Sequence, residues 1–227
     1  GGVSIRRHKN KSPDKQREIP AASPAAKLAI AGLFLAGLLV ILIWLNKGSF
    51  TAPFERDEGE FAYAAWLLND GGLPYRDSFM QKPPLIIYTY WLAGLVNPDA
   101  TWPPRALALA GLLGAALLLR RIARRSYGET GGWAAAWWLV ALASLPTVAP
   151  YAAYTEKFLL LPLMGAVAAY VAWEDNPRPW LLGLGGFCAA AALAYKQIVL
   201  PQLLVLFSVW CYRAYRREGR AVDAARA

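Results

Sequence analysis

Leu28–Leu45 is a run of 18 residues without one charged side chain, flanked by Lys27 and Lys47. A helix needs about 20 apolar residues to cross the hydrocarbon core of a bilayer. Inside that core every backbone N–H and C=O must find its partner within the protein, so a run of this kind has few options other than a membrane-spanning helix. It is too long for the core of a typical signal peptide, and no cleavage signature follows it, so it reads as a retained first span.

Five further runs repeat the pattern: Ala106–Leu119, Gly131–Thr155, Phe158–Trp173, Pro179–Tyr195 and Gln197–Tyr212. Most are close to the minimum spanning length. Arg105 and Arg120 bracket the shortest, where their charged heads can snorkel toward water. Hydrophobic residues make up 57% of the chain and mean hydropathy is +0.30. The 10 Trp and 11 Tyr suit the two membrane–water interfaces. The net charge of +9 sits at span ends and in the N-terminal tail. Membrane orientation accounts for that distribution better than nucleic-acid binding does.

Pro83–Val96 is apolar but only 14 residues long, which suits an interfacial or re-entrant helix. The charge distribution decides its placement. If it does not cross, 17 of the 24 Lys and Arg fall in the cytoplasm and 8 of the 15 acids fall outside. If it did cross, most basic residues after Leu119 would move outside, against the positive-inside rule. The expected fold is therefore all-α, a polytopic transmembrane helical bundle of about six spans with both termini cytoplasmic. Residues 1–27 form a basic, disordered cytoplasmic tail, 28–212 the membrane domain, and 213–227 a cytoplasmic C-terminal tail. An external loop, 46–104, carries juxtamembrane amphipathic helices.

That loop concentrates the polar chemistry. Glu55, Asp57, Glu58 and Glu60 crowd the start of a helix on which Phe61, Ala65 and Leu68 share one face. Such a helix is expected to lie on the outer membrane surface. Asp57 and Glu60 have capping-box spacing, so the acids read either as caps on the helix dipole or as catalytic groups. Asn69–Tyr75 forms a turn, and Lys82-Pro83-Pro84 launches the next helix. Lys82 taken alone is equally a snorkelling anchor.

As a set, these features resemble the first external loop of GT-C type polyprenyl-phosphate-sugar glycosyltransferases, the superfamily of protein O-mannosyltransferases and lipid A aminoarabinose transferases. The likeness rests on Asp57-Glu58, the Phe61–Ala65 helix, the Asp70–Tyr75 turn and Lys82-Pro83-Pro84-Leu85. Weaker matches are Arg105, Thr155-Glu156 and Lys196. It covers about Leu28–Tyr212 and corresponds to the N-terminal half of such an enzyme, whose members are usually about twice as long.

The resemblance implies a reaction at the outer face of a bacterial inner membrane. An acceptor hydroxyl attacks the anomeric carbon of a polyprenyl-phosphate sugar while a carboxylate takes its proton. A cation stabilises the departing lipid phosphate. It assigns Asp57 as general base, with Glu58 as its partner or as ligand to a divalent cation. Lys82 would contact the phosphate, with Arg76, Arg105, Glu156 and Lys196 as further substrate contacts. The partners it implies are membrane lipids and polyprenyl phosphate. The alternative is a non-catalytic subunit that packs against a larger membrane protein complex through small-residue runs such as Ala110–Ala116 and Gly183–Ala194.

Overall fold

A computed structural model of the chain describes residues 23–145 and 152–226. The expected basic tail, up to Ala22, lies outside the described residues, as does Pro146 near the end of the Gly131–Thr155 run. The described residues form seven α-helices and no β-strand: α1 (Pro24–Asn46), α2 (Arg56–Asn69), α3 (Leu85–Gly94), α4 (Trp102–Ser144), α5 (Thr155–Asp175), α6 (Pro179–Tyr195) and α7 (Leu200–Arg226).

The helix starts follow from local chemistry. Pro24, Pro103 and Pro179 sit in first turns, where the missing N–H would have no intrahelical partner anyway. Ser23 caps α1, its Oγ accepting from the Ala26 N–H at 3.2 Å. Four segments are long and apolar enough to cross a membrane: Pro24–Phe50, Trp102–Ser144, Thr155–Asp175 and Gln197–Arg217. α3 and α6 are shorter apolar helices. With 10 residues, α3 extends only about 15 Å, half the thickness of a hydrocarbon core. The last helix does not stop at Tyr212 but continues to Arg226.

α4 is two helices meeting at Gly128, whose φ of 70° and ψ of −173° lie in a region essentially closed to residues with a Cβ. Its two arms fold back on each other. A Cβ on Gly132 would stand 2.8 Å from the Arg120 carbonyl oxygen, so the second arm passes the first at backbone distance. Glu129 ties the hairpin by accepting from Arg120 at 2.6 Å and Arg124 at 2.9 Å. The Arg120 guanidinium also lies over the Trp133 ring at 4.2 Å. Leu38 and Leu42 of α1 pack against both arms, on Leu109, Leu112 and Ala116 of the first and Trp133, Ala136 and Val140 of the second.

α2 and α3 pack over the end of the bundle formed by the start of α4 and the start of α5. Phe61, Ala64, Met80, Ile86, Ile87, Tyr90, Ala108, Ala153 and Phe158 make one buried cluster there. The apolar face of α2 thus turns into the protein, where it loses more water-accessible area than it would at a lipid headgroup layer. Its outward face carries the exposed, stacked Tyr63 and Trp66, with ring centroids 6.0 Å apart.

Candidate functional site

The chemistry at this end begins with Glu58, which is 0% exposed. It lies in the first turn of α2 and reaches back to accept from the Glu55 N–H at 3.0 Å. The capping arrangement therefore uses Glu55 and Glu58, two residues earlier than the Asp57–Glu60 spacing suggests. That register wins because it brings Glu58 under Arg105.

Arg105, in the first turn of α4, is 2% exposed. It does not snorkel; its guanidinium faces inward. Nε donates to Glu58 Oε1 at 2.9 Å and Nη2 to Glu58 Oε2 at 2.5 Å, a planar two-point bond that Lys could not make. The remaining protons go to backbone carbonyls of the segment between α1 and α2: Ser49, Ala52 at 2.7 Å and Pro53 at 2.8 Å. Glu58 Oε1 also accepts from the Ala153 N–H at 2.7 Å. The Tyr90 hydroxyl lies 3.5 Å from that oxygen and donates to the Ala153 carbonyl at 2.9 Å. Burial, and then the Glu58 charge, hold the Tyr90 phenol well above its ordinary range. A buried pair this fully bonded locks four chain segments into one frame, and it leaves Glu58 engaged on both oxygens.

Asp57 is next to this frame but outside it. Its side chain is part-exposed and bonded to the exposed Arg56 at 3.4 Å. Tyr154, just before α5, is flanked by the carboxylates of Glu55, Asp57, Glu58 and Glu156; burial first, and then these charges, raise its phenol. Glu156, in the first turn of α5, forms an ion pair with Lys196 at the end of α6 and accepts from the Thr155 hydroxyl at 3.0 Å. Asp57, Glu58, Arg105, Glu156 and Lys196 thus share one end of the bundle, together with Lys157, which is 4% exposed.

Arg76 and Lys82 are held differently. Arg76 is bonded to Asp77 through Nε at 2.9 Å and Nη2 at 2.7 Å. Asp77 also accepts from the Leu73 N–H at 2.7 Å, and these bonds bring its carboxyl down to about 2. Lys82 precedes α3, where its carbonyl accepts from the Tyr75 hydroxyl at 2.7 Å. That bond tethers Tyr75, a non-glycine residue at φ 69°. Among the described residues neither Arg76 nor Lys82 is bonded to Asp57 or Glu58.

No protein-family model, curated protein or solved structure matches this chain. Its chemistry must be read from its own geometry. Among the described residues no group of three or more His, Cys, Asp and Glu side chains is placed to hold a metal ion. Glu58, bonded to Arg105 through both oxygens, has no carboxylate oxygen left free to ligate a divalent cation.

Sequence reasoning did not single out Tyr90, Tyr154 or Tyr195. Tyr195 bonds Thr89 at 2.9 Å through its hydroxyl and stacks on Phe158 at 5.7 Å, joining α3, α5 and α6 beneath the polar group. The available signal was a polar aromatic residue within or at the edge of an otherwise apolar run.

Proposed function

We propose that the chain is the membrane-embedded part of a glycosyltransferase that moves a sugar from a polyprenyl phosphate to an acceptor hydroxyl at the outer face of a bacterial inner membrane. The observation that carries this reading is the division of labour between adjacent acids. Glu58 is buried in the Arg105 frame, while Asp57 is part-exposed near Tyr154, whose phenol also feels the charge of Glu156, the partner of Lys196. A rigid frame that holds one reachable carboxylate at the same end of the bundle as a lysine is what acid–base group transfer requires.

In this reading Asp57 takes the proton of the acceptor hydroxyl as its oxygen bonds to the anomeric carbon. The bond from that carbon to the phosphate oxygen breaks, and the phosphate leaves with the electron pair. Lys196 and Lys82 stabilise the charge it carries away. Both arms of α4 and the 17-residue α6 cross as well, giving six crossings with both termini cytoplasmic; about 26 Å of helix in α6 suffices with flanking residues at the interface.

The decisive experiment is sugar transfer by the full chain in native membranes, comparing wild type with Asp57→Asn. Loss of transfer with polyprenyl-phosphate binding retained supports the reading, and unimpaired transfer removes it. The second reading, a structural subunit of a larger membrane complex, draws on the self-neutralised Glu156–Lys196 pair and the sealed Glu58–Arg105 pair. It requires a stable partner chain on purification and no polyprenyl lipid.

A further inference from the structure

The opposite end of the bundle carries a different set of features. α5 begins beside Glu58 and runs 21 residues to Asp175, about 30 Å along its axis. At its far end Arg120, Arg124 and Arg125 of α4 and Arg213 of α7 pair with Glu129, Glu174 and Asp175, Arg217 of α7 bonds the Glu174 carbonyl, and Arg121 lies beside them on α4. Glu129 takes Arg120 and Arg124, whereas Glu174 and Asp175 take Arg125, at 3.7 and 2.7 Å. Among the described residues the exposed Arg121 side chain has no bonded partner.

Arg121 also lines two cavities at once. One is a polar recess of about 260 Å³ with Arg124, Arg125 and Asp175 on its wall. The other is an apolar groove of about 560 Å³ running between α4, α5 and α6, within the range of about 300–1,000 Å³ typical of ligand sites. Ala168 and Ala172 line both, so the recess and the groove meet at Arg121. Leu161, Trp180, Leu184 and Phe187 on the groove wall are exposed and open it sideways, toward where lipid would lie.

We propose that this is a site for an anionic phospholipid of the leaflet at the basic end, with its phosphate on Arg121 and one acyl chain in the α4–α5–α6 groove. A cation with no counter-ion among the described residues, at the mouth of an apolar groove, meets the two requirements of such a lipid together: charge for the headgroup and apolar area for the chain. The neighbouring ion pairs hold Arg124 and Arg125 in place, and among the described residues of the recess wall Arg121 is the arginine left unpaired. The site lies about 30 Å from Asp57 and does not depend on the glycosyltransferase reading. The groove does reach Leu85 and Tyr195 at its other end, so a polyprenyl phosphate entering there would compete for the same space.

The test is native mass spectrometry of the full chain in detergent with equal amounts of phosphatidylglycerol and phosphatidylcholine of matched chains. Wild type should retain phosphatidylglycerol preferentially. Arg121→Gln should lower that preference about five-fold, the contribution of one basic residue at an anionic surface, and Arg121→Lys should restore part of it. Arg178→Gln, a change at the same end but outside both cavities, should leave the preference intact. An unchanged preference in Arg121→Gln overturns the proposal, as does an equal loss in Arg178→Gln. Displacement of all bound phospholipid by added polyprenyl phosphate, independent of residue 121, also overturns it and assigns the groove to that lipid.

Discussion

Glu58 and Arg105 lie 47 residues apart in the chain and bond at 2.5 and 2.9 Å, with neither side chain more than 2% exposed. Removing one partner of such a pair leaves the other charge buried and uncompensated, at a cost of about 3–5 kcal/mol. Glu58→Gln and Arg105→Gln should each lower the thermal unfolding midpoint in detergent sharply. The double substitution should cost clearly less than the sum of the two. A sum that is simply additive would mean that the pair does not hold the frame.

Asp57 should behave in the opposite way. It is part-exposed and, among the described residues, its side chain bonds a solvent-facing arginine, so Asp57→Asn should change stability by less than about 1 kcal/mol. If the proposed chemistry holds, sugar transfer falls by two or more orders of magnitude, the scale of a lost general base. Unfolding and transfer assays on the same preparation separate the two effects.

Lys196 and Glu156 form a part-exposed pair, with side chains 23% and 58% exposed. Such pairs contribute about 0–1 kcal/mol, so Lys196→Gln should unfold close to wild type. Its expected defect is weaker retention of polyprenyl phosphate, read by lipid extraction from purified protein. Normal retention would remove Lys196 from the proposed phosphate contacts.

Gly128 joins the two arms of α4 at φ 70° and ψ −173°. Gly128→Ala forces a Cβ into a backbone region that costs about 1–3 kcal/mol. A lower unfolding midpoint is expected, and an unchanged one would show that the turn can relax to another geometry.

Asp77 gives the segment between α2 and α3 a pH dependence. Its carboxyl titrates near 2, below the ordinary 3.8, because Arg76 and the Leu73 N–H bond the charged form. A depressed folded-state value stabilises the fold above the unfolded value, and that contribution is lost as pH falls through about 2. The Leu73 amide resonance should therefore shift with a midpoint near 2 in an NMR titration. Arg76→Gln should move that midpoint up toward 3.8. A wild-type midpoint already at 3.8 would mean that the bonds do not persist in solution.

Local composition was enough to establish that this protein is helical and built for a membrane. Apolar content adds up residue by residue along a run, so neither property needs the rest of the fold. A short apolar helix within Pro83–Val96 was legible for the same reason, since the run's length and the prolines that open it are local features. The roles of individual charges were not. Glu58 and Asp57 are adjacent and chemically alike, and only the approach of α4 decides that one is sealed by Arg105 while the other stays accessible. The capping register, the inward turn of α2 and the junction of groove and basic recess at Arg121 likewise depend on distant segments. Tertiary structure settled these because burial and ion pairing are set by which segments meet across the bundle, and residue spacing carries no information about that.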